Sequence, residues 1–325
     1  MNIDMINAAA ERLKGHARHT PLLNSPFLDE IAGRRVWVKA EPLQHTGSFK
    51  FRGGWSAVSA LPDDVRARGV IAFSSGNHAQ GVALAAKSHG VPAVIVMPED
   101  APQLKIDNTR ALGGEVILYD RENEDRDAIG QSIAADRGLT LIRPFDEPQV
   151  IAGQGTVGLE ITQDAAALGI TKADVLVCCG GGGLTSGIAL ALEANAPEMT
   201  VRPVEPIGFD DVIRSLASGQ IESNPTQSGS ICDAIVTKSP GDLTFPIMQR
   251  LCGSGITVPD QDCLRAMAQA FVRLKLVTEP GGAIALAAAL YHHNSDDTDV
   301  IAVASGGNVG TNMFSRALSD HKDTK

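Results

Sequence analysis

The sequence has few aromatic residues, no long apolar segment and no excess of positive charge. Phenylalanine, tryptophan and tyrosine make up only 4% of the 325 residues, whereas 43% are hydrophobic. An apolar content of this size is enough to bury the core of a globular protein. No apolar run approaches the roughly 20 residues that a membrane-spanning helix needs, so we expect no membrane partner.

The charge balance excludes a second class of partner. The chain has 38 acidic and 28 basic residues, mixed along its length, and a net charge of −10. A surface of this sign repels phosphate backbones, so we expect no nucleic-acid partner. An anionic ligand must therefore be held by local donors that act against the overall field.

Paired cysteine motifs are absent as well. The five cysteines include no C-x-x-C pair, and their odd number favours reduced thiols and a cytoplasmic location. The first residues include Asp4 and Glu11 and lack the apolar core of a signal peptide. We expect them to form a surface helix.

Short β-rich runs alternate with helical stretches along most of the chain. Most of these runs are continuously apolar, which is typical of parallel strands covered on both faces. The alternation predicts an α/β protein with parallel sheets and right-handed crossovers. The predicted strands are residues 70–73, 93–97, 115–118, 175–178, 201–204 and 300–304, and the predicted helices include residues 78–87, 104–112, 157–168, 184–194 and 283–291.

Two segments that contain glycine and proline, residues 38–47 and 142–155, are expected domain boundaries. They bracket three strand–helix units within residues 51–145, which we expect to form a smaller inserted α/β domain. Residues 1–50 and 146–325 then form a larger, discontinuous domain. Two domains also agree with the length of the chain.

A glycine loop is the strongest local motif. Gly180, Gly181, Gly182 and Gly183 follow a predicted strand and precede Leu184, at the start of a predicted helix. Such a loop brings the backbone close to a ligand, and the helix start adds free N–H groups, so together they can hold a phosphate. The spacing fits neither a dinucleotide fingerprint nor a Walker A loop. The alternative is a tight turn with a structural role only.

A lysine motif, residues 46–53, is the second candidate. Ser48 is the expected N-cap of a helix, which places Lys50 in the first turn. The helix dipole disfavours the charged amine there, and an easily neutralised lysine suits Schiff-base chemistry. The alternative is an ordinary exposed lysine. We expect Arg52, in the same motif, to lie at the surface or between domains.

Residues 74–78, with the sequence SSGNH, form the third motif. They follow the predicted strand 70–73 and open a helix, with Asn77 as the expected N-cap. Small hydroxyls and a glycine at the carboxyl end of a strand can hold the carboxylate of an amino acid. A capping turn without a ligand explains the same residues equally well.

These motifs, in this order, resemble the fold-type II pyridoxal-phosphate (PLP) enzymes, especially threonine and serine dehydratases and serine racemase. The carriers are SFKFRG at Lys50, SSGNH at Asn77, the four glycines, and SGGN at Ser305 after the last strand. The similarity extends from residue 20 to residue 308. It implies a tryptophan synthase β-like fold of two parallel-sheet α/β domains, the larger of which binds PLP.

The resemblance implies a role for each motif residue. Lys50 holds the cofactor and removes the Cα proton, Phe49 packs beside the pyridine ring, and Asn77 hydrogen-bonds its phenolic oxygen. A neutral hydroxyl at the pyridine nitrogen makes a weaker electron sink, which suits elimination. The remaining implied contacts are the phosphate with Gly180, Gly181, Gly182, Gly183 and the Leu184 amide, the pyridine nitrogen with Ser305, the ring edge with the loop at Glu279, and the substrate carboxylate with Ser74, Ser75, Asn77 and His78.

The implied reaction converts L-threonine or L-serine to a 2-oxo acid and ammonia. Ser75 matches a racemase acid–base position, so serine racemisation stays open. A 3-hydroxyaspartate dehydratase is a further alternative, although the sequence offers no clear second cation for a β-carboxylate. Outside the family, the alternatives are a dinucleotide-dependent oxidoreductase with Glu205 as ribose ligand, and a non-catalytic binding module. The resemblance also implies a homodimer.

A metal site is the last candidate. The loop 205–211 follows the predicted strand 201–204 and resembles the divalent-cation loop of this branch. The matching ligands are the carboxylates of Glu205 and Asp211 and the carbonyl of Phe209. Oxygen ligands suit Mg²⁺, Ca²⁺ or Mn²⁺. The alternative is a helix start with favourably placed acidic residues.

Overall fold

The computed structural model describes residues 1–74, 76–101, 103–120, 122–294 and 299–321. Its strands form two sheets, and most of them are buried on both faces because helices cover each side. The strands are β1 (Leu22–Asn24), β2 (Val36–Ala40), β3 (Val70–Phe73), β4 (Ala93–Pro98), β5 (Glu115–Tyr119), β6 (Thr140–Leu141), β7 (Ala173–Cys178), β8 (Met199–Pro206), β9 (Ile256–Val258) and β10 (Asp299–Ala304).

The larger sheet has the strand order β1-β2-β10-β7-β8-β9, and the smaller has the order β5-β4-β3-β6. Only the β1–β2 pair is antiparallel among the described pairings. The predicted fold class, an α/β protein with two largely parallel sheets, is therefore confirmed. The smaller sheet is built entirely from residues 70–141, inside the predicted inserted segment. The domain limits themselves stay a prediction.

Helices connect the strands and cover both sheets. None of those in the described ranges is long and apolar enough to cross a membrane. They are α1 (Ile3–Leu13), α2 (Pro26–Ala32), α3 (Lys50–Ser59), α4 (Asp63–Arg66), α5 (Asn77–Ser88), α6 (Gln103–Ala111), α7 (Arg126–Arg137), α8 (Pro148–Ala167), α9 (Gly183–Asn195), α10 (Asp211–Ser218), α11 (Thr244–Leu251), α12 (Asp260–Gln269), α13 (Pro280–Tyr291) and α14 (Thr311–His321).

All six predicted strands are present, and the sequence analysis missed β1, β2, β6 and β9. Three of these are only two or three residues long, too short for a clear periodicity. The start of α8 was also misjudged, since the helix begins nine residues before the predicted position 157. Glu147 is its N-cap, with its carboxylate accepting hydrogen bonds from the amides of Gln149 and Val150, and Pro148 occupies the first turn.

The carboxyl ends of the parallel strands define where a ligand can bind. Strands β2, β7 and β10 are neighbours in the larger sheet, so the segments that follow them leave from one edge. These segments carry the lysine motif, the glycine loop and Ser305. Strand β3 of the smaller sheet ends at Phe73, immediately before the SSGNH motif.

A buried ionic cluster anchors α3, the helix that begins at Lys50. Arg52 is 1% exposed and pairs with Glu41, which is fully buried, at 2.8 Å and with Glu160 at 2.6 Å. Burial alone lowers the pKa of Arg52, but the two carboxylates raise it above its ordinary value. The prediction that Arg52 lies at the surface is therefore wrong, because its partners are distant in sequence.

We expect Arg52→Met to lower the free energy of unfolding by about 3–5 kcal/mol, since the change leaves buried carboxylates without their partner. Urea unfolding followed by circular dichroism measures the loss. The matched control is Arg137→Met, which removes an exposed pair with Glu115 and is expected to change stability far less. Equal effects of the two substitutions would contradict a structural role for the cluster.

Candidate active site

The motif residues converge on one cavity of about 390 Å³. It lies at the carboxyl ends of strands from both sheets, as ligand sites in parallel α/β proteins do. The predicted site residues that line it are Phe49, Lys50, Ser74, Asn77, His78, Gly180, Gly181, Gly182, Gly183, Leu184 and Ser305. Ser75 lies outside the described residues.

Lys50 is the first residue of α3, as the motif predicts. Its Nζ donates a hydrogen bond to the carbonyl of Pro144 at 2.7 Å and lies 5.1 Å from the centre of the Phe49 ring. Burial lowers the pKa of Lys50 to about 8, against a small opposing effect of Cys178. The amine therefore has a substantial neutral fraction near physiological pH.

The N-cap of α3 differs from the prediction. Phe49 occupies that position without a side-chain cap, whereas the Ser48 backbone is extended and its hydroxyl is buried without a hydrogen-bond partner in the described structure. The amide of Phe49 instead donates to the carbonyl of Ser305 at 3.1 Å. This bond ties the lysine loop to the end of β10.

The glycine loop joins β7 to α9, and Gly182 is the N-cap of that helix. Its φ of +91° lies in the left-handed region, which a residue with a side chain rarely adopts. A Cβ added there would lie 2.5 Å from the Met248 methyl carbon and 2.9 Å from the Thr244 hydroxyl. Because α9 begins at Gly183, the amides of its first turn have no partner within the helix and face the cavity end of the sheet.

Three buried polar side chains around this cavity have atoms without a hydrogen-bond partner in the described structure. Both amide atoms of Gln154, the hydroxyl of Thr237 and Nδ1 of His78 are unsatisfied. Buried polar atoms of this kind normally have partners, which a bound polar ligand can supply. Together with the glycine loop, they fit a phosphate-bearing cofactor such as PLP.

Gln154 and Thr237 were missed by the sequence analysis. Gln154 lies within α8, where its Oε1 is 2.7 Å from the position of a Cβ added to Gly183. The only local signal was a buried glutamine between two glycines of a helix, Gly153 and Gly155. Thr237 lies in a segment without regular structure, so no periodicity indicated it.

Asn77 is held by two partners on opposite sides. Its Nδ2 donates to Glu279, and its Oδ1 accepts from Nδ2 of Asn308 at 2.8 Å. Burial raises the pKa of Glu279 to about 7, although Lys105 and the bond from Asn77 oppose the rise. Asn77 is the first residue of α5 rather than its N-cap, which is Gly76. That part of the prediction is wrong.

Ser305 follows β10 and lies beside Cys178 at the end of β7. Burial raises the pKa of the Cys178 thiol to about 11, against the effect of a hydrogen bond with Ser305. Cys178 therefore stays a thiol, and Ser305 is a neutral group on this wall of the cavity. Lys50 and Glu279 shift the pKa of the same thiol in opposite directions, so both groups lie close to this wall.

His78 is buried and neutral. Its Nε2 lies 3.0 Å from the carbonyl of Ile142, and burial together with the nearby Lys50 lowers its pKa to about 3. Ser74 Oγ accepts a hydrogen bond from the amide of Gly76 at 3.2 Å, which shapes the loop after β3. The predicted role of these residues in binding a substrate carboxylate stays a prediction.

The predicted metal ligands lie at the end of β8, away from the residues that line the cavity. The Glu205 carboxylate accepts hydrogen bonds from the amides of Val212 and Ile213, at 3.0 and 2.7 Å. Asp211 accepts one from Asn224, and its Oδ2 is buried without a partner in the described structure. Burial, and then the neighbouring Asp211, raise the pKa of Glu205 well above its usual range.

This pair offers two carboxylates to a cation. Burial also raises the pKa of Asp211 to about 6. No group of three or more histidine, cysteine, aspartate or glutamate side chains with metal-binding geometry occurs among the described residues. The donor set fits a hard cation only if backbone carbonyls such as that of Phe209 complete it.

A phosphate-binding loop, a desolvated lysine and a neutral hydroxyl at the ends of parallel strands define a PLP site of the fold-type II class. Residues 13–310 match the family described as "Pyridoxal-phosphate dependent enzyme", and the chain belongs to this family. Membership favours PLP over the dinucleotide alternative for the glycine loop.

Similar proteins cover nearly the whole chain. An L-threo-3-hydroxyaspartate ammonia-lyase from Pseudomonas sp is 42% identical over 95% of this chain and 96% of its own. A serine racemase from Schizosaccharomyces pombe is 40% identical over 97% of each chain. A solved threonine deaminase, from the source abbreviated T.th., has a TM-score of 0.90 at 42% identity, covering 95% of this chain and 99% of its own.

We expect Gly182→Ala to weaken PLP binding by at least about tenfold, because the left-handed backbone alone costs a residue with a Cβ roughly 1–2 kcal/mol. Fluorescence titration of the cofactor-free protein measures the dissociation constant. Gly169→Ala is the matched control, since Gly169 has a similar φ of +72° and open space around it. If both variants bind PLP like the unchanged protein, the glycine loop does not hold the phosphate.

Proposed function

We propose that this protein is a PLP-dependent lyase that removes water and ammonia from small β-hydroxy amino acids, L-serine and L-threonine among them. The observation that carries the proposal is the neutralised Lys50 amine, which faces the same cavity as the glycine loop and Ser305. The products are a 2-oxo acid and ammonia.

Lys50 can act as the general base. With a pKa of about 8, its amine is neutral in part at pH 7 and can accept the proton from the substrate Cα. The Pro144 carbonyl orients the amine through one hydrogen bond, and the Phe49 ring shields it from solvent on another side. A base of this pKa returns its proton readily, as repeated turnover requires.

The other residues hold and tune the cofactor. When bound, PLP withdraws electrons from the substrate Cα and so acidifies its proton. The first-turn amides of α9 would balance the phosphate charge, and Gln154 and Thr237 would supply further donors. Ser305 would face the pyridine nitrogen, where a neutral hydroxyl favours elimination over transamination. Asn77, fixed by Glu279 and Asn308, would donate to the phenolic oxygen.

The substrate within this class is not determined by family membership. The names of the similar proteins divide among 3-hydroxyaspartate ammonia-lyase, serine racemase and threonine deaminase. All three reactions begin with loss of the Cα proton, so Lys50 serves each of them. Racemisation needs a second acid or base on the opposite face of the substrate, a role that we propose only for Ser75.

We expect Lys50→Ala to reduce release of 2-oxo acid by at least roughly 10²–10⁴-fold, since the variant loses its general base. Lys172→Ala, at an exposed position, is the control. Borohydride reduction and peptide mapping of the unchanged holoenzyme should find the cofactor on Lys50. In the cofactor-free protein, acetylation of Lys50 should rise with pH through a midpoint near 8. An adduct on a different lysine would overturn the assignment.

We also propose that Glu205, Asp211 and the Phe209 carbonyl hold a divalent cation, Mg²⁺, Ca²⁺ or Mn²⁺, in a structural or activating role. Two observations support it: the unpartnered Oδ2 of Asp211, and the mutual repulsion that raises the pKa of both carboxyl groups. A cation would relieve this repulsion. The hydrogen bonds from α10 to Glu205 explain that residue equally well without a metal.

Millimolar Mg²⁺ or Ca²⁺ should raise the melting temperature of the protein, because a ligand that binds only the folded state stabilises it. Asp211→Asn should abolish the rise, whereas Asp242→Asn, outside this loop, should preserve it. A melting temperature that is independent of both cations would remove the metal proposal. The homodimer and the cytoplasmic location stay predictions from the resemblance and from the free cysteines.

A further inference from the structure

A second lysine reaches the active-site cavity, at a position that the sequence motifs did not indicate. Lys105 lies on α6, and its side chain is only 13% exposed. Its Nζ lies 3.3 Å from the position of a Cβ added to Gly76, so it rests against the loop that follows β3. Lys105 therefore lines the cavity on the side of Asn77.

The closest described anion does not satisfy this lysine. Asp233 Oδ2 lies 3.9 Å from Nζ, beyond hydrogen-bonding distance, and the Asp233 side chain is 63% exposed. Water solvates Asp233, whereas the Lys105 ammonium is largely removed from water, where an anion in direct contact would stabilise it. A carboxylate bound within the cavity would be such a partner.

The remaining charges around the cavity leave this side positive. Glu279 is engaged by Asn77, and Asp146 accepts a hydrogen bond from the amide of Leu243 at 2.8 Å. Asp242 and Lys238 are exposed at the mouth. Arg126 is also exposed there, with its guanidinium 5.3 Å from the centre of the Phe73 ring. It adds a second positive charge on the side of the smaller sheet.

We propose that the preferred substrate carries a carboxylate on Cβ, as 3-hydroxyaspartate does, and that Lys105 is the residue that selects it. The inference rests on the proposed function. Serine and threonine have a hydrogen or a methyl group where 3-hydroxyaspartate has its second carboxylate, and neither can pair with an ammonium. Loss of water from 3-hydroxyaspartate, followed by hydrolysis with one water, yields 2-oxosuccinate and ammonia, which balances the reaction.

The α-carboxylate is the competing partner for Lys105. Every amino-acid substrate has one, so a lysine that binds it would serve serine and 3-hydroxyaspartate equally. The phosphate of PLP is not a competitor, because the glycine loop and α9 provide its cradle on the opposite sheet. The two assignments of Lys105 therefore differ in a measurable way: only a β-carboxylate contact alters the ratio between substrates.

The test compares kcat/KM for L-threo-3-hydroxyaspartate and L-serine in the PLP-loaded enzyme and in Lys105→Met. The unchanged enzyme should prefer 3-hydroxyaspartate, and the substitution should lower the ratio of the two values by about 100-fold, as expected when a buried charged partner is lost. Lys105→Arg should restore part of the ratio. Lys172→Met, which removes the same charge at an exposed position, should leave the ratio unaltered.

A binding measurement separates this inference from the proposed function. Succinate and butyrate have the same number of carbons but two and one carboxylates, and calorimetry gives their dissociation constants for the holoenzyme. Succinate should bind at least about tenfold more tightly, and Lys105→Met should remove the difference. Binding without preference, or a parallel loss of kcat/KM for both substrates, overturns the role of Lys105. Failure to convert any of the three β-hydroxy amino acids refutes the proposed function instead, and the succinate result still decides the role of Lys105.

Discussion

The removal of the Lys50 amine from water is the interaction on which the rest of the site depends. An ammonium pays a large free-energy penalty in such a place, so its pKa falls and a neutral nucleophile becomes available. That placement requires α3 to begin at a fixed point above the end of β10. The Arg52 cluster holds the helix from below, and the bond from Phe49 to Ser305 holds its first residue from the side. Charges that are fully paired thus position a charge that is deliberately unpaired.

Much of the fold was predictable because its determinants are local. A parallel strand covered on both faces must be continuously apolar, so strands such as β7 and β10 can be read directly from their residues. The glycine loop is equally local, since a positive φ at Gly182 and the start of α9 follow from adjacent positions. Order along the chain then suffices to bring the motifs together, because parallel strands end at one edge of a sheet.

The features that could not be predicted depend on contacts between distant segments. Arg52 meets Glu160 across 108 positions, and no periodicity reports such a pairing. The caps expected at Ser48 and Asn77 were wrong for a related reason. Polar residues at those positions have sequences typical of helix starts, but here Asn77 is engaged by Glu279 and Asn308, and Ser48 pairs with Gly306 in an isolated bridge. Tertiary contacts took precedence over local capping.

The position of Lys105 shows how a protein with a net charge of −10 can still receive an anionic substrate. The overall field repels a dicarboxylate at long range, but within the roughly 8 Å screening length at physiological ionic strength only nearby charges matter. There, Lys50 and Lys105 face the cavity and Arg126 stands at its mouth, while Glu279 is held by Asn77 with a pKa raised to about 7. Glu279 therefore carries only part of a negative charge at neutral pH. Local burial and hydrogen bonding, rather than net charge, set the sign of the field that a substrate meets.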